Sequence, residues 1–584
     1  MSERWLKKAL FAMGLAGVAL LLVDIGFIQR PAWQQVLDFL YFPYIITVLL
    51  GLLKELSFCP KGNSRFKLSR YFIIAFGVGF LLDSLINTFF KASNFHIEQY
   101  APAEIFILLF AFVEISEWLY SFQKQSLHPA IIFVLSFFVL ISIGTVSLML
   151  PNATVNGISF IDALFTSTSA VCVTGLAVLD TGKDFTRLGQ YIIMSLIQFG
   201  GLGVMTFTSL FALLFRGGSS FQNRLALKDY LNSSHIGDAV STLYRIIGLA
   251  LLIELAGVLG IFFSTGAQGM PFNERLFFSI FHAVSAFCNA GFSTLSNSLY
   301  EEGYRFNYPL HIIIACLFIL GGIGYAILFN YLSYAKRWLL YNWAKLRGST
   351  TRGLSKPLVT LNTKIVVTTT AVLIITGTVA FYFFEYHNTL AEHTGFGKWV
   401  AAFFGGVTPR TAGFNSVNTG ALAYPTLMIY LLLMWIGASP GSTGGGIKTS
   451  TFAIATLNIF QQVSGREKIT LGWKTIPPSA LQRATTIISL SLIAVGLSVF
   501  LIISIDGELG MLPVAFECFS AYSTVGLSMG ITAQFSEWSK FILIITMFIG
   551  RVSFLTFLIG MYRMFFKHRQ YTPYQYPQEE ILIN

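Results

Sequence analysis

Ser523-Thr524-Val525-Gly526-Leu527 stands between an apolar run with small polar residues, Leu512 to Tyr522, and a long hydrophobic segment from Phe541 onward. Thr-Val-Gly is backbone of the kind a potassium filter uses, where a ring of carbonyl oxygens replaces the ion's water shell. The triplet alone decides nothing, because it recurs by chance in many chains. Its weight comes from three other glycine loops in the same setting.

Composition sets the solvent. Of 584 residues, 54% are hydrophobic and 11% charged, with a mean hydropathy of +0.68, whereas a soluble domain carries about 25% charged residues. Apolar segments of roughly 20 residues, enough to cross the hydrocarbon core as helices, recur without the alternation of a β-barrel. The fold class is therefore an all-α polytopic membrane protein, with membrane lipid as its surroundings. The net charge of +11 lies mostly in short loops, where it sets topology and implies no nucleic acid. The five cysteines, Cys59, Cys172, Cys288, Cys316 and Cys518, have neither metal-ligand nor CxxC spacing, and no disulfide framework is expected. No cleavable signal is evident behind Arg4, Lys7 and Lys8.

Residues 1–128 hold four apolar segments, near Leu6–Ile28, Phe39–Leu56, Tyr71–Phe90 and Ala103–Phe122. The loop between the second and third carries Lys54, Lys61, Arg65, Lys67 and Arg70 against Glu55, so it and the N-terminus are expected on the cytoplasmic side. Asp83, Glu104, Glu114 and Glu117 lie within or beside these spans, where acids are functional candidates; their places near span ends favour a structural role. No span has the regularly spaced basic residues of a voltage sensor.

From Pro129 the chain repeats. A span (Ile131–Leu150), a shorter apolar stretch (Phe160–Ala170), Val173-Thr174-Gly175-Leu176 and a second span (Leu188–Phe215) follow one another. The order recurs as Leu243–Phe263, Leu276–Phe287, Asn289-Ala290-Gly291-Phe292 and Leu310–Tyr334. It recurs again as Ile365–Phe384, Trp399–Val407, Thr411-Ala412-Gly413-Phe414 and Leu427–Phe460. The last round is Thr486–Ile505, Leu512–Tyr522, Thr524-Val525-Gly526-Leu527 and Phe541–Phe565. Gly175, Gly291, Gly413 and Gly526 stand 116, 122 and 113 residues apart, the regularity of an internal repeat. The units are residues 129–240, 241–357, 358–480 and 481–584, after the N-terminal extension 1–128.

Loop charges agree. The stretch Ala335–Lys364 holds Lys336, Arg337, Lys345, Arg347, Arg352, Lys356 and Lys364 without an acid, and Arg216, Arg224, Lys228, Arg466, Lys468, Lys474 and Arg483 follow other second spans. Arg563, Lys567 and Arg569 end the chain, giving cytoplasmic termini, whereas Asp180, Asp184, Glu301, Glu302, Glu392, Asp506, Glu508 and Glu537 lie on the other side. The glycine loops thus face outward.

Segments too short to cross, followed by glycine-containing backbone, survive at membrane depth only inside protein or against water. A short helix that dips in and returns through an extended loop meets that condition. Its carbonyl end, worth about half a negative charge, favours a cation, and glycine lets the backbone turn without a Cβ clash. The expected potassium ligands are the carbonyls of Val173, Thr174, Gly175, Asn289, Ala290, Gly291, Thr411, Ala412, Gly413, Thr524, Val525 and Gly526. All side chains there are neutral, so carbonyl dipoles rather than a carboxylate ring hold the ion. The bland reading is that these glycines only let helices pack closely, which four loops in register disfavour.

These residues carry a resemblance. Ser169-Ala170-Val171-Cys172-Val173-Thr174-Gly175-Leu176, Asn289-Ala290-Gly291-Phe292, Thr408-Pro409-Arg410-Thr411-Ala412-Gly413-Phe414-Asn415 and Ser523-Thr524-Val525-Gly526-Leu527 are similar to the superfamily of potassium transporters that includes bacterial TrkH and KtrB and plant HKT proteins. The resemblance spans roughly residues 129–565. It implies four membrane–pore-loop–membrane units around one pore, a homodimer, a cell-membrane location and potassium as the transported ion with no organic cofactor. It also implies a separate cytosolic nucleotide-binding ring of RCK type, since this chain has no G-x-G-x-x-G domain of its own. Glycine at all four positions is the potassium-favouring version, and relatives with serine in the first tend to pass sodium. The N-terminal extension exceeds the usual core.

In the third unit, Gly437-Ala438-Ser439-Pro440-Gly441-Ser442-Thr443-Gly444-Gly445-Gly446-Ile447-Lys448 breaks the second span. A P-loop reading fails at Ile447, and a G-x-S-x-G reading on Ser439 lacks its strand and histidine. By the resemblance this is an intramembrane gating loop beneath the filter, with Gly437, Gly441, Gly444, Gly445 and Gly446 giving it flexibility and Lys448 near the ion path or at the span's inner edge. Arg551, charged inside the last span, matches an arginine the family places below the filter as a barrier. The chain is expected to be no enzyme but a channel-like potassium uptake protein. Its rivals are an ion-coupled secondary transporter, which also uses broken helices, and, remotely, an intramembrane hydrolase. Because only one loop reads Thr-Val-Gly and none continues to Gly-Tyr-Gly, sodium exclusion is expected to be less stringent than in a symmetric potassium channel.

Overall fold

The computed structural model describes residues 3–27, 31–58, 70–71, 73–79, 81, 103–107, 109–111, 113–114, 129–203, 238–346 and 359–552 except 467, 472 and 473, together with 554, 555, 558 and 562. Much of the third and fourth expected N-terminal spans, Asp83, Glu117, Cys59, residues 204–237 and the tail beyond 562 lie outside the described residues. Among the described residues the named elements are helices, apart from a hairpin of two-residue strands, Thr470–Leu471 on Lys474–Thr475.

Helices α1 (Glu3–Gly26) and α2 (Pro31–Phe58) pack on each other, and Asn152 Nδ2 of the first repeat donates to Ile25 O at 2.9 Å. The repeats follow in the expected order. Unit one is α3 (Pro129–Leu148), short α4 (Phe160–Cys172) and α5 (Arg187–Leu202). Unit two is α6 (Asp238–Ser264), short α7 (Phe272–Phe287), α8 (Tyr308–Ile323) and α9 (Tyr325–Leu346). Unit three is α10 (Leu361–Glu385), short α11 (Phe396–Val407), α12 (Tyr424–Trp435) and α13 (Thr449–Val463). Unit four is α14 (Pro478–Asp506), short α15 (Met511–Ser523) and α16 (Glu537–Val552).

Local chemistry explains the boundaries. Ser159, Thr186, Asn307 and Thr360 cap α4, α5, α8 and α10 by accepting a backbone N–H from the first turn. Pro309, Pro425 and Pro478 start α8, α12 and α14, where a missing N–H costs nothing. The short helices have 13, 16, 12 and 13 residues, roughly 18–24 Å of rise, which falls short of the ~30 Å core. They point inward, and each second span packs on the short helix of the following unit: α5 on α7, α8 on α11, α12 on α15, and α16 back on α4. The four units therefore close into a ring.

Two sequence expectations are corrected. Leu310–Tyr334 is not one continuous helix: α8 and α9 meet at Gly324 with a bend of 101°, and Gly324 has φ +92°, where a side chain would also crowd Pro440 O. Lys336, Arg337 and Lys345 consequently stand on helix α9 rather than in a loop. Arg70 is no solvated loop charge either. It is fully buried, with Nε 3.0 Å from Glu55 and Nη1 2.7 Å from Glu114, which gives Glu114 the structural role its position suggested. Removing one member of a buried charge cluster leaves the others uncompensated, at about 3–5 kcal/mol. Arg70→Leu is expected to lower the thermal unfolding midpoint in detergent accordingly; an unchanged midpoint would show that the cluster carries no stability.

Candidate functional site

Each short helix ends in backbone that alternates hand. Val173, Asn289, Thr411 and Thr524 adopt φ of 58°, 61°, 68° and 50°, and two residues later Gly175, Gly291, Gly413 and Gly526 adopt 89°, 69°, 81° and 91°. Left-handed φ suits asparagine but strains β-branched valine and threonine, at about 1–3 kcal/mol each. Such strain persists only where surroundings fix it. Here they do: in units one, two and four the left-handed residue donates to the carbonyl three back, and the next residue to the carbonyl five back (Thr174 N to Ser169 O 2.7 Å, Ala290 N to Ser285 O 2.7 Å, Val525 N to Ser520 O 2.8 Å).

The four glycines meet. A side-chain carbon on Gly175 would crowd Ala290 O and lie 3.1 Å from Gly291 Cα; one on Gly291 would lie 2.9 Å from Gly413 Cα. On Gly413 it would crowd Val525 O and stand 3.4 Å from Gly526 Cα, and on Gly526 it would crowd Thr174 O and stand 2.9 Å from Gly175 Cα. The contacts run one, two, three, four and back to one. All twelve residues expected from the sequence are brought together in these loops. Above them opens a cavity of about 220 Å³, lined by the four glycines and by Asp180, Ser293, Asn297, Asn415 and Ser528 among others.

Hydroxyls that sequence reading missed hold the loops. Ser169 Oγ donates to Leu176 O at 2.7 Å and accepts from Gly175 N, Ser285 Oγ donates to Phe292 O at 2.7 Å, and Ser520 Oγ accepts from Gly526 N at 3.0 Å. All three lie six residues before their glycine. Unit three departs by one: Thr408, five residues before, bonds Phe414 O. The regular offset is the signal that could have found them. A second signal was the glycine in each neighbouring span: Gly200, Gly321 and Gly550 lie so close to the carbonyls of Val171, Phe287 and Tyr522 that any side chain would collide.

Beneath the ring lies the broken span. Ile436 bridges Ile447, and Ile447 N donates to Trp435 O at 3.2 Å, so the two ends of the loop are stitched together. Ser439 N and Thr443 N donate to Gly322 O and Gly321 O at 3.0 and 3.3 Å, and Tyr325 N donates to Gly441 O at 3.2 Å; the bend of unit two is the loop's seat. Toward the ring, Thr443 Oγ1 is 3.2 Å from Asn289 Oδ1, and Gly445 N donates to Thr524 Oγ1 at 3.0 Å. Gly444 packs so tightly on the Thr411 hydroxyl that a side chain would overlap it, and Gly437 meets Gly445 O and Gly446 in the same way. Gly441 differs: it is exposed, with φ +71° and open space around it. Lys448 Nζ turns back to Gly444 O at 2.7 Å, bracing the loop from within. Arg551 donates to Thr443 O and, at 2.6 Å, to Gly200 O, tying loop to first unit. Ser439, buried, has the Thr449 hydroxyl at 3.3 Å as side-chain neighbour. Among the described residues no cluster of histidine, cysteine, aspartate or glutamate suits a metal.

A family model described as TrkH, cation transport protein, matches residues 100–567. The chain is 34% identical over 469 residues to the potassium/sodium uptake protein NtpJ of Enterococcus hirae, covering 79% of this chain and 98% of that protein. It is 35% identical over 455 residues to Ktr system potassium uptake protein B of Bacillus subtilis, covering 78% and 96%. The crystal structure of the potassium transporter TrkH from Vibrio parahaemolyticus shares the fold, with a TM-score of 0.58 at 18% identity over 85% of this chain and 97% of the other.

Because Gly445 N–H is buried against Thr524 Oγ1, Thr524→Val leaves it unbonded, at about 1–3 kcal/mol. Amide exchange across residues 441–447 is expected to accelerate about tenfold in hydrogen–deuterium exchange; unaltered exchange would mean that the loop does not lean on the ring.

Proposed function

The chain belongs to the TrkH family of cation transport proteins, and on that footing we propose that it takes up potassium through the ring of Gly175, Gly291, Gly413 and Gly526. It is a multi-pass membrane transporter, not an enzyme, so the hydrolase reading of Ser439 is set aside. The observation that carries the proposal is the cyclic contact of four glycines, each two residues after a left-handed turn. In this reading that backbone turns carbonyls of all four units toward one axis, the kind of ligand set that replaces water around potassium. The relatives named for potassium uptake support the choice of ion, and one named for potassium and sodium fits a ring that excludes sodium less strictly.

The loop from Gly437 to Lys448 is the gate in this reading, and the conformation described is closed. In support, the Thr443 hydroxyl donates to Asn289 Oδ1 and the Gly445 N–H to Thr524 Oγ1, which holds the loop against residues of the ring. Arg551 adds a fixed cation there and fastens the closed loop to Gly200 O. Opening requires these contacts to break together, with Gly437, Gly441 and Gly446 absorbing the backbone change. Basic residues on α9 and after the third unit favour cytoplasmic placement of that side and of both termini. A homodimer and an RCK-type nucleotide-binding ring on the basic surface belong to the same proposal, on family resemblance.

In proteoliposomes, the protein is expected to admit rubidium in preference to sodium along their gradients, without fixed stoichiometry; stoichiometric co-transport would replace the channel-like mechanism by an ion-coupled one. Gly175→Ser must push against Ala290 O and is expected to reduce the rubidium-to-sodium flux ratio about tenfold, and an unaltered ratio would remove Gly175 from the filter. Deleting residues 441–446, or Arg551→Gln, is expected to raise rubidium flux, and flux that stays at the starting level would refute the gate.

A further inference from the structure

Two buried polar side chains stand at one position of the repeat and make the same contact. Glu517, nine residues before Gly526, lies within α15, and His282, nine before Gly291, lies within α7; both are fully buried. Each reaches a serine two residues beyond the glycine. Glu517 Oε1 accepts from Ser528 Oγ at 2.5 Å and Met529 N at 3.1 Å, and Oε2 accepts from Thr532 Oγ1 at 3.1 Å.

His282 does the equivalent with a ring. Its Nδ1 is 2.9 Å from Phe278 O, an acceptor, so that nitrogen carries the proton. In the neutral imidazole Nε2 is then an acceptor, and the Ser293 hydroxyl donates to it at 2.9 Å. The two serines finish alike, Ser293 Oγ accepting from Leu295 N at 3.0 Å and Ser528 Oγ from Gly530 N at 2.8 Å. An acceptor nine before, a serine two after and an N–H four after the glycine thus form one device, built twice from different chemistry.

The other two units lack it. At the same position unit one has Thr166, whose buried hydroxyl has no hydrogen-bond partner among the described residues, and unit three has Phe404; their residues two after the glycine are Ala177 and Asn415. Since the glycines touch in the order one, two, three, four, units two and four face each other across the ring. Both serines line the cavity above it. A buried carboxylate is costly unless its oxygens are satisfied, and every partner of Glu517 found here is a neutral donor on this rim.

We propose that Glu517 and His282 are positioning residues that clamp the outer rim along one diagonal and thereby set the discrimination between potassium and sodium, an inference that rests on the pore reading above. The clamped pair fixes the separation of carbonyls across the ring, and the unclamped pair follows an entering ion.

The test uses the full chain in proteoliposomes and measures initial rubidium and sodium influx over a range of concentrations. Glu517→Ala and His282→Ala are expected to lower the rubidium-to-sodium ratio of Vmax/KM about tenfold each, the weight of one hydrogen bond to a strong acceptor, chiefly through sodium. Glu517→Gln, whose amide oxygen still accepts from Ser528 and Met529, is expected to keep the ratio within about twofold, as is Thr166→Val at the unclamped position. Where Glu517→Ala does not assemble, Ser528→Ala severs the same contact from the rim and must lower the ratio likewise. A normal ratio in Glu517→Ala or Ser528→Ala and in His282→Ala, with Gly175→Ser still altering it, overturns the clamp and leaves the pore reading intact. If Gly175→Ser also leaves the ratio alone, the pore reading fails and the clamp with it. An equal fall in Thr166→Val would reduce the effect to general loosening and overturn the proposal.

Discussion

Backbone that leaves a helix inside hydrocarbon must find hydrogen-bond partners within the protein, since lipid offers none. Every unusual feature near the centre of this molecule answers that constraint. The four short helices end there; late carbonyls of three of them accept from the turn residues that follow, and the hydroxyls of Ser169, Ser285, Thr408 and Ser520 bond carbonyl or N–H groups of the loops beyond. Tyr522, Phe287 and Val171 direct carbonyls at neighbouring spans, which come close only because Gly550, Gly321 and Gly200 have no side chain.

The same constraint explains why the broken span of unit three is seated on unit two. A 13-residue stretch between α12 and α13 without helical bonds would be ruinous in the membrane. Gly321 and Gly322 offer their carbonyls to it because α8 stops at Ile323 and α9 leaves at a steep angle. Bend and loop are thus one unit of structure, contributed by two repeats. Arg551 supplies a third attachment by spanning from Thr443 to Gly200.

The sequence made the ring and the broken span legible because both are written in glycine, four times at one register in the ring and five times within ten residues in the loop. The 437–448 loop was visible for the same reason. The bend at Gly324 was not, since Leu-Gly-Gly-Ile-Gly-Tyr sits in an unbroken apolar run and hydropathy does not report direction. Arg70 was misread because charge counting treats every basic residue near a span end as solvated, whereas its burial depends on Glu55 and Glu114 arriving from two other segments. The serines before each glycine were hidden among other small residues, and Thr408 is offset by one from the rest. Glu517 and His282 share a position, but an acid and an imidazole look unrelated until the helix ends fix the register. Boundaries of the units and the assignment of ion ligands rest on the same periodicity and stand as proposals.

The closed order of glycine contacts has a mechanical consequence. A linear row of neighbours can loosen from one end, but a cycle has no end. In close-packed material, widening the joint between Gly175 and Gly291 must be taken up at Gly413 and Gly526. A displacement at one joint is therefore felt at the other three, by segments up to 351 residues apart in the chain. A tetramer of identical subunits obtains that property from symmetry; here one polypeptide obtains it from contact, and each quarter is free to carry its own side chains.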